Sequence, residues 1–241
     1  MKKYLSVFSL GTGRSLMKIL IGAVLLMALD AGLFYYALGH EPGDLAFIIG
    51  RSHMSWAFLV ISIGFTLSSV LTWRAKNKTN YTYSNLKVSE GKAFLTTALA
   101  GTVVYLFYWF LQVIIVYACY KYYMNCFGDG EFDLGIFTLF HQDPFLVSLF
   151  PMGVTIRWLL TIGRALMVGA GCASLEHNKL APMGSLTIML TAISIVTDAC
   201  GANFPYVQVF FGMVCAIALL VIGGLGRRFT MFDDAEGGAD R

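Results

Sequence analysis

Three charged side chains, Asp30, Arg157 and Asp198, fall inside long apolar runs, and Gln112 sits in another. A charge at the centre of a bilayer costs about 2.5–3.5 kcal/mol on insertion scales, so such groups usually turn toward protein and pair. Their types point to one of two roles. They form an ion-pair group that fixes packing between the first, fourth and fifth spans, or they line a polar path for a substrate. Gln112 is expected to face protein. Arg164 lies deeper and is expected to snorkel or to meet a partner subunit.

Other chemistry is poorly served. His40, His53, His141 and His177 are scattered, with no HExxH and no other metal-ligand spacing. There is no GxSxG and no Gly-Lys-Ser/Thr phosphate loop. The aspartates stand in LMALDAG and IVTDACG, not in the GxGD setting of intramembrane aspartyl proteases, and GTGRS at Gly11 has neither a lysine nor a preceding strand. No catalytic, cofactor-binding or metal-binding residue is therefore expected on this chain. Cys119, Cys126, Cys172, Cys200 and Cys215 show no CxxC spacing and mostly lie in apolar runs, so buried thiols are expected rather than a disulfide framework, with a Cys126–Cys200 bond left open.

The elements that position these groups follow from composition. Of 241 residues, 57% are hydrophobic and only 13% charged, and the mean hydropathy is +0.70. No water-facing surface accommodates that, so the chain is read as an integral membrane protein. The net charge of +3 comes from cations clustered beside apolar spans, which is a topology signal and not a nucleic-acid one.

The pattern predicts an all-α membrane protein of six transmembrane helices, over about 17–38, 54–73, 93–120, 151–172, 183–202 and 207–226. The whole chain reads as one transmembrane domain with a flexible cytoplasmic tail, 227–241. Met1–Arg14 is expected to form an interfacial helix loosened at its end by Gly11 and Gly13. The run Met17–Leu38, about twenty residues, is too long for an ordinary cleaved signal peptide. Lys121–Phe150, acidic and carrying the short apolar piece GIFTLF, is placed outside as a re-entrant or interfacial segment ahead of the last spans. Gly22, Gly32, Gly64, Gly163, Gly169 and Gly171 are candidates for close helix contact. No internal repeat is apparent.

The polar stretch Arg74–Leu95 holds Arg74, Lys76, Lys78, Lys87 and Lys92. Such loops stay cytoplasmic, and six spans with both termini inside put roughly thirteen cations in the cytoplasm against Arg51 and Lys121 outside. The acceptor patterns at Asn77 and Asn80 would matter only if the loop faced a lumen.

Within that stretch, Asn85-Leu86-Lys87-Val88-Ser89-Glu90-Gly91-Lys92-Ala93-Phe94-Leu95 follows the second span and runs into an aromatic-rich third span with Trp109 and Gln112. It resembles the intracellular loop of type-2 ATP-binding-cassette exporter permeases, in which a leucine, small apolar, serine, charged turn forms the coupling helix that docks on the ATPase. The six-span count, the N-terminal piece and the outer loop are similar to that family too. Lys87 stands where the family usually has proline, and Glu90 where a basic residue often follows the serine. The resemblance implies an ATPase-coupling role for Leu86, Val88, Ser89, Glu90 and Lys92. It also implies ATP and Mg bound on a partner ATPase subunit, a second permease subunit, identical or related, and a cell (plasma) membrane location. The substrate class would be hydrophobic or amphipathic, such as a peptide antibiotic or a lipid-like compound. The alternative is a non-transporting membrane scaffold or regulatory subunit, with the outer loop and tail as interaction surfaces.

Overall fold

The structure, a computed structural model, describes residues 2–40, 45–74, 90–127, 140, 143–150, 155–175, 179–200 and 205–225. These are helical apart from short turns. In chain order the helices are α1 (Lys2–His40), α2 (Leu45–Arg51), α3 (Met54–Arg74), α4 (Glu90–Phe127), α5 (Pro144–Leu149), α6 (Thr155–Ser174), α7 (Ala181–Ala199) and α8 (Pro205–Gly224).

Among the described residues, four helical stretches are long and apolar enough to cross a membrane: Ser15–His40, Gly91–Phe127, Ala181–Ala199 and Tyr206–Gly224. A fifth arises if α2 and α3 count as one span bent by 51°. The bend falls at Ser52–His53. His53 takes a left-handed φ of 58°, while the Ser52 hydroxyl donates to Ile49 O at 2.7 Å and its N–H to Ile48 O at 2.9 Å. Those bonds close α2 before α3 sets off in a new direction.

The exposed side chains of the apolar helices are themselves large and apolar. On α8, Phe210, Val214, Ile217 and Val221 are all more than half exposed, while Val209, Ala216 and Leu219 are buried. Two apolar faces on one helix mean that one packs on protein and the other meets lipid, since a patch of that kind is not sustained in water. This is a multi-pass helical membrane protein.

α6 is the long unbroken helix outside that group, and its position explains why. It packs against α3, α4, α7 and α8, and every residue from Met167 to Ser174 is buried. A helix wrapped by others need not be greasy all round. Its Gly, Ala, Ser and Thr residues instead let neighbours approach closely, as is common between helices in lipid. At Gly169 an added Cβ would run into Ala98 O and Thr102 Oγ1 of α4, and at Gly171 it would meet Ile188 of α7. Gly163 and Gly22 are similarly confined, against Met213 and against Phe65 and Tyr108, whereas Gly32 and Gly64 look onto open space.

The helix bounds depart most from the sequence expectation at α1 and α4. The N-terminal segment is not a separate helix, because α1 runs unbroken from Lys2 to His40. A glycine costs a helix about 1 kcal/mol relative to alanine, which weakens the ladder without removing a hydrogen bond. Helix α4, 38 residues long, continues to Phe127 beyond the expected end near Tyr120.

Candidate functional site

The polar groups of the bundle interior fall into two clusters and a background. The background is the buried hydroxyls. Those of Thr66, Ser69, Thr102, Thr187 and Thr191 each donate to a carbonyl three or four residues back on their own helix, at 2.6–3.0 Å. They are satisfied locally and offer little to a ligand.

The first cluster joins α6, α7 and α8. The Arg164 guanidinium forms an ion pair with Asp198. It also donates from Nε to Ser194 Oγ at 2.9 Å and from Nη2 to Ser194 O at 3.1 Å. The Arg164 and Asp198 side chains are only 6% and 12% exposed. Thr197 extends the network, lying 3.0 Å from both Ser194 O and Gln208 Oε1 of α8. Asp198 therefore has an arginine partner, but that partner is Arg164 and not Arg157. Arg157 sits in the first turn of α6, partly exposed, and makes no ion pair among the described residues. Nor does Arg164 snorkel or wait for another subunit.

The second cluster lies between α1 and α4. Asp30 and Gln112 are both fully buried. Neither carboxylate oxygen of Asp30 has a hydrogen-bond partner, and neither does the Gln112 amide oxygen or nitrogen. The Gln112 side chain lies beside the carboxyl but outside hydrogen-bonding geometry. Gln112 does face protein, as expected. Asp30 does not join the arginine.

Beside Arg164 is a cavity of about 10 Å³, lined also by Tyr105, Trp109, Thr161, Ile195 and residues of α3 and α5. That is room for about one water. Trp109 Nε1 is buried and has no hydrogen-bond partner.

α5 is fixed by its cap. Asp143 Oδ1 accepts from Phe145 N–H at 2.9 Å and from Leu146 N–H at 3.2 Å, with Pro144 at the first helical position. Its other oxygen lies against Gly50, where an added Cβ would push the carboxylate aside. Burial pushes the Asp143 carboxyl above the usual carboxylate range, and the two backbone N–H bonds partly oppose this.

Of the expected coupling residues, Leu86, Val88 and Ser89 lie outside the described residues, Glu90 begins α4, and Lys92 is exposed in its first turn. The acidic stretch 128–139 and the tail 227–241 also lie outside them. No two of the five cysteines are joined, and Cys126 and Cys200 are exposed. Among the described residues no group of three or more His, Cys, Asp or Glu side chains is placed to hold a metal.

No family model, curated protein or solved structure matches this chain. The functional reading therefore rests on the placement of its charges and polar groups.

Proposed function

We propose that this chain is the transmembrane permease subunit of an ATP-driven exporter. It moves a hydrophobic or amphipathic substrate, such as a peptide antibiotic or lipid-like compound, and works beside a second permease subunit, identical or related. ATP and Mg bind on a separate ATP-binding-cassette subunit. In this reading six helices cross the cell membrane, α6 among them, α5 belongs to a re-entrant segment, and both termini are cytoplasmic.

One observation carries the proposal. An added Cβ at Gly91, at the start of α4, would strike the backbone of Gly224 at the end of α8, and one at Gly223 would strike the ring of Phe94. At the same end of the bundle Lys18 Nζ donates to Ser68 Oγ of α3 at 3.2 Å. The ends of α3 and α8 and the start of α4 thus gather at one end. The basic stretch 75–89 leaves and returns there, and Arg227 and Arg228 follow α8. A concentrated basic end supports a cytoplasmic face, and in sequence the segment Leu86–Lys92 leads into α4, which packs against α6. A partner pressing on that segment would act directly on the core.

The test uses Val88→Asp together with Glu90→Arg in the full chain. Apolar anchors beside a charge are the usual anatomy of a small hot spot. The double variant should insert and fold but lose co-purification with an ATP-binding-cassette ATPase, or lose substrate-stimulated ATP hydrolysis. Normal assembly and hydrolysis by that variant would remove this segment as the coupling element and leave the scaffold or regulatory role standing.

A further inference from the structure

Among the described residues, the buried side-chain polar atoms left without a hydrogen-bond partner belong to three residues: both oxygens of Asp30, both polar atoms of Gln112, and Trp109 Nε1. Trp109 and Gln112 are one turn apart on α4, so the orphaned atoms are concentrated at one place and not spread through the bundle. Buried polar groups are nearly always paired, and an isolated ionised carboxylate in an apolar interior is among the costliest groups a protein can hold.

Among the described residues, the surroundings offer no counter-charge. α1 packs against α2, α3 and α4. The ionisable side chain of α2 is Arg51, and that of α3 is Arg74 at its far end. The Lys18–Ser68 contact sets the two antiparallel helices in register, which puts Arg74 roughly 27 Å along the axis from the level of Asp30, at about 1.5 Å per residue. On α4 the titratable group that faces Asp30 is the Cys119 thiol. Neither Asp30 oxygen has a hydrogen-bond partner among the described residues. A metal cation is no better served, since hard cations take about six oxygens and Asp30 with Gln112 supplies two carboxylate oxygens and one amide oxygen.

We propose that Asp30 and Gln112 form a proton-binding site within the membrane. A carboxylic acid and a primary amide are complementary. The acid O–H donates to the amide oxygen while the amide N–H donates to the acid carbonyl, so one proton satisfies all four orphaned atoms of the pair with a small side-chain rotation. An ionised Asp30 cannot do this, because its oxygens and Gln112 Oε1 are then all acceptors. In the binding step a hydronium ion gives up its proton, one O–H bond forms on Asp30 as one breaks on the hydronium, and a water molecule is released. The site stands independently of the ATPase partner, for it needs only α1 and α4.

The experiment is infrared difference spectroscopy on the full chain in neutral-lipid nanodiscs, with the aspartate carboxyls isotopically labelled. At neutral pH a protonated carboxylic acid band that shifts with the label is expected. It should disappear in Asp30→Asn, move to higher frequency in Gln112→Met, which removes the amide partner, and stay unchanged in Asp143→Asn. If Asp30→Asn does not fold, the Gln112→Met shift decides. Absence of a label-sensitive acid band in the wild-type protein, or a band that ignores Gln112→Met or vanishes in Asp143→Asn, overturns the proposal.

Discussion

Replacing Asp198 by leucine leaves Arg164 buried with only neutral partners. The two Ser194 bonds remain, at 2.9 and 3.1 Å, but the counter-charge is gone. Truncating one member of a buried ion pair typically costs about 3–5 kcal/mol. Asp198→Asn is milder, because the amide oxygen still accepts from the guanidinium, and the loss should be about 1.5–3 kcal/mol, the worth of a charge-assisted bond. The double change Arg164→Met with Asp198→Leu removes both charges at similar volume and should recover most of the deficit, since apolar replacement of a buried pair is often neutral or stabilising. Thermal unfolding of the purified protein in one detergent, read for both singles and the double, closes the cycle. Arg157→Met is the control and should change little, because Arg157 is partly exposed and has no ion pair among the described residues. If the two single losses simply add in the double, Arg164 and Asp198 do not act as a pair. If Arg157→Met costs as much as Asp198→Leu, the wrong arginine has been placed in the core.

Three further outcomes are open to measurement. Gly169→Ala should destabilise the protein by about 1–3 kcal/mol through overpacking, because its Cβ meets the backbone of α4, while Gly32→Ala, facing open space, should be neutral or slightly stabilising; equal effects at the two sites would show that α4 and α6 are not in close contact. Asp143 has a raised carboxyl pKa in the folded protein, so its contribution to stability is fully present below the unfolded value near about 4 and is lost as pH rises through the folded value. Asp143→Asn should flatten that part of the stability-versus-pH curve while keeping the cap, and an unchanged curve would refute the assignment. In a background with the exposed Cys126 and Cys200 replaced, a cysteine at Thr79 should resist an impermeant thiol reagent in intact cells while one at Asp133 reacts, and the opposite labelling would invert the proposed orientation.

The long helices were legible because lipid-facing and protein-facing residues are both apolar, so a spanning helix reads as a plain run. Register was harder. Counting along each run places Arg157 with the aspartates when the fourth run begins at Pro151, whereas α6 begins at Thr155 and Arg157 is in its first turn. A better signal was present in the short link between α6 and α7. Antiparallel neighbours joined by a tight turn pair residues equidistant from it, and counting outward from Lys179 sets Arg164 opposite Ser194, one turn from Asp198. Arg157 falls opposite a residue beyond the end of α7. The cap of α5 was also readable, as Asp-Pro ahead of an apolar stretch. The orphaned Asp30–Gln112 pair was not, because absence of a partner is a property of three packed helices and not of any one run.

The two polar clusters divide the bundle mechanically. On the α6–α8 side, bonds from Arg164 to Asp198 and Ser194, and from Thr197 toward Gln208, cross between helices, so shifting these helices would break several charge-assisted contacts at once. α1 is pinned differently. Tyr108 donates to Ile19 O at 3.0 Å and Lys18 to Ser68, both toward its N-terminal half, whereas at Asp30 the bonds proposed to cross to Gln112 of α4 hold only while the carboxyl keeps its proton. Beyond that level the chain passes into α2 and the 51° bend at Ser52–His53. Motion should therefore concentrate in the C-terminal half of α1 with α2, hinged below Asp30. Spin labels at the exposed positions Tyr36 and Tyr122 should give a broader distance distribution than labels at the exposed Leu159 and Met189 of α6 and α7. Asp30→Leu with Gln112→Leu, which replaces the polar gap by apolar contact, should narrow the first distribution and leave the second as it was. Equal widths in the starting protein would locate the moving part elsewhere.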